Sequence, residues 1–415
     1  MNRKNCSFKT KDPKPSCSYS DVPEKILEFS TSGEDTEDSE EEEVGSDSSI
    51  VKSLRKTKSK TTTTSNSRLK SVASALSQKE EEDFPDKSSD RGPDDVSDFN
   101  NYSIIFVVDS IRLMEMNIEV VAPPIQHGEG PFWNHKNKSL YFVDTFQQTV
   151  LKWDSFSKNI TTHQLNGDSV GFLVPVKKMI DTFMLCRDRE VCLFTWDGAC
   201  NNTGVLQTLL RVDEDQPYNQ FNDGKTDARD LTVANDGGSL YCITSNPELH
   251  IDIKISPVSI SNGLAWSGDQ KSFFYIDSVT RKIMKYSFNL SRGHISKPKI
   301  LLDIDSYPNL KGIPDGMTVD TEDNLWVALY GGKAVIKVDS KTGKLLLVIE
   351  MPVTYVTSVT FGGANFKTLF ATTSRLNLSP NELLNEPSAG SVFAIDNLGV
   401  RGYPPDQFIF QSKPQ

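Results

Sequence analysis

Three stretches of this chain superpose residue for residue without a gap: SLYFVDTFQQTVLKWD from Ser139, SFFYIDSVTRKIMKYS from Ser272 and NLWVALYGGKAVIKVD from Asn324. Each reads as an aromatic-rich strand, a short polar connection and a second strand with a lysine among apolar residues, which is a β-hairpin. A hairpin that returns at multiples of about 45 to 50 residues is the mark of blade-by-blade architectures. Propeller blades are four-stranded sheets packed radially about an axis. A folded region of about 300 residues at that period therefore predicts an all-β, six-bladed β-propeller. The competing reading is a long β-sandwich whose hairpins resemble one another by accident.

Only part of the 415 residues can belong to that fold. Residues 1–115 are rich in Ser, Thr, Lys, Asp and Glu, and include GEDTEDSEEEEVGSD and KTKSKTTTTSNS. Such a composition cannot bury enough apolar surface to offset the entropy of ordering it, so this segment is expected to be disordered and the propeller to occupy 116–415. The basic run KSLRKTKSK from Lys52 has no interleaved aromatics and the whole chain carries a net charge of -11, which argues against a nucleic-acid partner. The start, MNRKNCSFKTKDPKPSC, has charge but no apolar core of a targeting segment, and the run Ile104 to Val108 is far short of a membrane span. Six cysteines show no C-x-x-C pair and no zinc-like spacing with histidine. Reduced thiols in a cytoplasmic protein without a membrane partner are the expectation.

A second element recurs just upstream of each superposed hairpin: Glu129-Gly130-Pro131-Phe132-Trp133, Asn262-Gly263-Leu264-Ala265-Trp266 and Asp315-Gly316-Met317-Thr318-Val319. Each is an oxygen-bearing side chain, a glycine and an apolar strand. Read alone, Asn-Gly or Asp-Gly is a turn. The separations of Glu129, Asn262 and Asp315, however, match the hairpin separations to within one residue. Equivalent positions on propeller blades are related by rotation about one axis, so the three side chains point to a common centre. Two carboxylates and an amide oxygen gathered there repel unless a cation lies among them. That all-oxygen set suits calcium first, with magnesium or manganese next; zinc stays open because carboxylates also bind it. Three protein ligands leave room for water and substrate, which points to hydrolysis.

The runs GEGPFW, QFNDGKTD, ISNGLAWSGDQKSFFYIDS, GIPDGMTVDTEDNLWVALYGGKAVIKVD and TSVTFGGANFKTLFATTSR, in that order, resemble the regucalcin (senescence marker protein), gluconolactonase and luciferin-regenerating enzyme family. MNIEVVAPPIQHGEGPFW is similar to the start of an insect luciferin-regenerating-type member. The resemblance implies a six-bladed propeller with one divalent metal on its axis and hydrolysis of a small-molecule sugar lactone. Carried over by motif, Glu129, Asn262 and Asp315 would be the metal ligands, Asp315 also the general base, and Asn222 of F-N-D-G a substrate contact. Two departures matter. Gln220 stands where the family often has an arginine that can hold substrate, and an amide lacks that fork of donors. The span from Gly224 to Ile260 lacks a G-R-Y-F-A-G strand, so the third blade is expected to be incomplete or rearranged. A calcium-binding propeller without turnover, and a luciferin-regenerating-type hydrolase, are the alternatives. Asn222 and Asp223 read equally well as turn or pocket. The histidines fit no ligand pattern and read as surface or loop residues, and Trp133, Trp266 and Trp326 as packing between blades.

Overall fold

The computed structural model describes residues 102–104, 116–167, 169–200, 204–214, 219–225, 238–245 and 248–410. The short apolar runs form antiparallel sheets of consecutive strands. The first blade is Gly128–Asn134, Ser139–Asp144, Thr149–Asp154 and Ile160–Gln164. The second is Val170–Pro175, Thr182–Arg187, Glu190–Thr195 and Val205–Arg211. After a two-stranded sheet come Ser261–Trp266, Ser272–Asp277, Lys282–Asn289 and His294–Asp303. Ile313–Val319, Asn324–Tyr330, Ala334–Asp339 and Leu345–Glu350 follow. The last sheet is Val356–Gly362, Thr368–Thr373 and Val392–Asp396, completed by Met116–Ala122 from the other end of the folded region. Closing the ring with that strand leaves fewer open sheet edges.

The three superposed stretches are the second and third strands of their blades, paired in one register. The lysine noted in sequence lies opposite the aromatic at the same place each time: Tyr141 with Lys152, Phe274 with Lys285, Trp326 with Lys337. Lys285 Nζ sits 5.3 Å from the Phe274 ring centroid and Lys337 Nζ 5.2 Å from that of Trp326. An alkyl stem and a charge over a ring thus cover an aromatic that would otherwise meet solvent. Every residue of Ser139–Asp144 is buried, polar ends included, because sheets pack on both faces of a blade. Trp133 stacks on Phe370 of the last blade at 5.5 Å and Trp326 meets Phe361 edge-on at 5.8 Å, so both pack between blades. Trp266 differs, packing within its own sheet on Phe273 and Phe288.

Two expectations need correction. The described residues show five full blades, not six. In the remaining place stands a two-stranded sheet, Leu240–Ser245 with Leu249–Ile255. Only 35 residues run from Phe221 to Ile255, against 43 from Ser261 to Asp303, which is too little chain for four strands and their turns. The second correction concerns 1–115. Tyr102–Ile104 forms a strand on the outer edge of Met116–Ala122, with Ser103 opposite Asn117, taking hydrogen bonds that edge would otherwise leave open. The rest of that predicted disordered segment lies outside the described residues. Among the described residues no helix is long and apolar enough to cross a membrane.

Candidate metal centre

Glu129, Asn262 and Asp315 lie near the beginning of the first strands of three blades. In each strand the pairing slips beside the site residue: between Glu129 and Phe132, between Asn262 and Leu264, and between Pro314 and Met317. Such bulges re-aim a side chain and increase local twist. The glycine after each site residue has a tertiary reason. A Cβ on Gly263 would lie 2.6 Å from the Asp315 carbonyl oxygen, and one on Gly316 2.7 Å from Ser358 Cα. Neighbouring first strands can crowd the axis only where a side chain is absent. Asn262-Gly263 and Asp315-Gly316 are therefore strand segments facing the next blade, not hairpin turns.

All three side chains are buried, each residue about 5 or 6% exposed. Asn262 Nδ2 donates to Ser278 Oγ at 2.9 Å, and Ser278 Oγ donates to the Pro314 carbonyl at 2.6 Å, which ties the amide to the strand that carries Asp315. Asn262 also hydrogen-bonds the Asp315 carboxylate. Asn222 reaches the group from the segment 219–225: its Nδ2 donates to Asn262 Oδ1 at 3.1 Å and to the Ser261 carbonyl at 2.9 Å. That segment passes between the first strands of the flanking blades, where a Cβ on Gly171 would collide with the Asn222 carbonyl. Gln220, two residues earlier, is half-buried.

The electrostatics are those of crowded like charges. Burial, then Asp315, then Asp223 push Glu129 well above the usual carboxylate range, and the Gly130 amide only partly offsets them. Burial and then Asp223 do the same to Asp315. Asp223 is itself raised by burial, against Lys225. Among the described residues no three His, Cys, Asp or Glu side chains are grouped closely enough to hold a metal ion. The candidate set consists instead of two carboxylates and an amide oxygen. These donors fit a hard divalent cation, which would offset the repulsion that burial magnifies.

Asp223 and His127 are the neighbours that sequence reasoning underrated. His127 lies in the connection before Gly128–Asn134, in an isolated bridge to Ser374, but it is largely enclosed and not a surface residue. Its Nδ1 is 2.9 Å from Ser374 Oγ and its Nε2 3.8 Å from Glu129 Oε1. Burial pulls its pKa down to about 4, so the ring beside Glu129 is neutral at pH 7. Tyr330 also hydrogen-bonds Ser374, and burial followed by Asp315 raises it to about 12. No local motif marks His127 or Tyr330; the one available hint was that His127 stands two residues before Glu129.

Residues 127–375 match the family model described as the SMP-30/Gluconolactonase/LRE-like region, a span that contains Glu129, Asn222, Asn262 and Asp315. Regucalcin from Sus scrofa is 34% identical over 307 residues, covering 71% of this chain and 98% of the relative; regucalcin from Homo sapiens matches equally. Among solved structures, a luciferin-regenerating enzyme superposes with a TM-score of 0.64 at 31% identity, covering 70% of this chain and 99% of the other. A calcium-binding protein, regucalcin, from Agrobacterium tumefaciens superposes with a TM-score of 0.62 at 22% identity, covering 70% and 96%, a likeness of fold.

Proposed function

Because this chain belongs to the SMP-30/Gluconolactonase/LRE-like family, we propose that it is a cytoplasmic, divalent-metal-dependent hydrolase of the gluconolactonase type that opens a sugar lactone. Glu129, Asp315 and Asn262 Oδ1 would hold the ion, calcium first and zinc, manganese or magnesium as substitutes. When bound, the ion would polarise the lactone carbonyl and stabilise the developing oxyanion. Asp315 acts as general base. It takes a proton from the attacking water as that water's oxygen bonds to the carbonyl carbon, and returns it to the ring oxygen as the C–O bond breaks. Asn222, whose Nδ2 is engaged by Ser261 and Asn262, offers its Oδ1 to a substrate hydroxyl. Gln220 supplies amide contacts where an arginine would have held a carboxylate or several hydroxyls. A small molecule is the partner in this reading, with neither nucleic acid nor membrane; among the described residues Cys186, Cys192 and Cys200 are free thiols, as a reducing compartment favours.

The observation that carries the reading is the placement of Glu129, Asn262 and Asp315 on equivalent bulged strands, with both carboxylates raised by burial and by nearby like charge. Glu129→Ala and Asp315→Ala are expected to abolish aldonolactone hydrolysis assayed with calcium, manganese and zinc. Undiminished turnover in either variant would remove the mechanism. Two observations favour other readings. Gln220 and the two-stranded sheet support a calcium-binding propeller without turnover, which predicts calorimetric ion binding and no hydrolysis. Similarity to the luciferin-regenerating enzyme supports a hydrolase with another substrate; a panel of lactones and organophosphates separates these.

A further inference from the structure

The first strands continue past the carboxylates and enclose, further along the axis, a cavity of about 400 Å³. Its lining begins one to three residues beyond each site residue, at Gly130, Ala265 and Met317, so at about 3.3 Å per residue it lies beneath the candidate metal centre. Phe132, Val174, Trp266, Phe361 and Tyr403 belong to its apolar wall. The segment 402–410 crosses this end of the axis. It is pinned by a bridge from Gly402 to Asp320 and a parallel bridge from Phe408 to Val176, with Phe408 fully buried. Lys225 reaches into the lining, and its Nζ donates to the Met317 carbonyl at 2.7 Å within electrostatic reach of Asp223 and Asp406. Ser358, Thr318 and Thr360 complete the lining from the neighbouring first strands.

We propose that this axial cavity is a second ligand site, taking a small uncharged molecule with a largely apolar body. Its volume falls within the range of small-molecule pockets, and its walls combine rings with a few polar groups. An uncharged occupant is favoured because Lys225 already faces two carboxylates, and a further buried ion would lack compensation. The site stands on the cavity alone and does not depend on what the carboxylates hold.

The probe is p-cresol, titrated into the full-length protein by calorimetry with and without calcium. Saturable one-to-one binding is expected, with a Kd on the order of 1 mM or tighter and no dependence on the cation. Val319→Phe narrows the space from another blade and should weaken binding at least tenfold. Val174→Phe fills the space and should abolish binding while the thermal transition persists. No saturable heat up to about ten times that Kd, as for a cavity that holds ordered water alone, overturns the proposal. So does binding unchanged in Val319→Phe, which also decides the matter if Val174→Phe does not fold.

Discussion

Replacing Glu129 by Gln preserves side-chain size and removes one charge from a place where burial, Asp315 and Asp223 all oppose it. In ion-free protein the folded state keeps protons on Glu129 and Asp315 at pH values where the unfolded chain has lost them, since both groups are raised. Their penalty is absent below the ordinary carboxylate range and grows as the pH rises towards the folded values. Each unit of such a rise costs about 1.4 kcal/mol once the pH has passed it. Glu129→Gln has one such group fewer, so between about pH 5 and 8 it should gain stability relative to the ion-free native protein. A divalent ion reverses the order. At a hundred times its dissociation constant it stabilises the native protein by about 2.7 kcal/mol. At roughly 2 to 4 °C per kcal/mol, the melting midpoint should rise by about 5 to 10 °C. Losing one buried charged ligand weakens binding by about 2 to 5 kcal/mol, or some 30-fold and more. The same ion concentration should then move the variant by about 3 °C or less. Melting curves at pH 6 and 8, with calcium and with chelator, make the comparison. A full ion-induced shift in Glu129→Gln would show that this carboxylate is no ligand. A pH-independent difference between the two ion-free proteins would show that its charge is not opposed by burial.

Three further changes probe the frame around the site. Gly316→Ala brings a methyl group within 2.7 Å of Ser358 Cα, so overpacking of about 1 to 3 kcal/mol or more should lower the melting midpoint and weaken ion binding together; unchanged melting would refute the close approach. Asn222→Ala removes a bond to Asn262 and the offered acceptor. It should raise the KM for a lactone about fivefold to tenfold in steady-state assays, with ion affinity read separately by calorimetry. Phe408→Ala deletes a fully buried ring that pins the segment 402–410, and denaturant titration should show a loss of about 3 to 5 kcal/mol.

Much of this molecule was legible in the chain because repetition is a linear property. The gap-free hairpins became paired strands, and the three glycine-linked side chains fell on equivalent strands with Asn222 beside them. The short span after Gly224 foretold an incomplete sheet, since four strands need a minimum of chain. Other features were not legible there. Turn and pocket readings of Asp223 were level until the structure set its charge against Glu129 and Asp315, and nothing local tells that His127 meets Ser374 across 247 positions.

Sequence by itself determined the β class, the blade period and the identity of the oxygen-bearing side chains, because strand alternation and turn chemistry act between near neighbours. Tertiary structure alone decided that the glycines serve contact between blades, that Tyr102–Ile104 joins the sheet edge, and that Asp223 adds its charge to both Glu129 and Asp315. The physical reason is range. Excluded volume and Coulomb repulsion depend on separation in space, and closing the ring brings together residues that lie far apart along the chain.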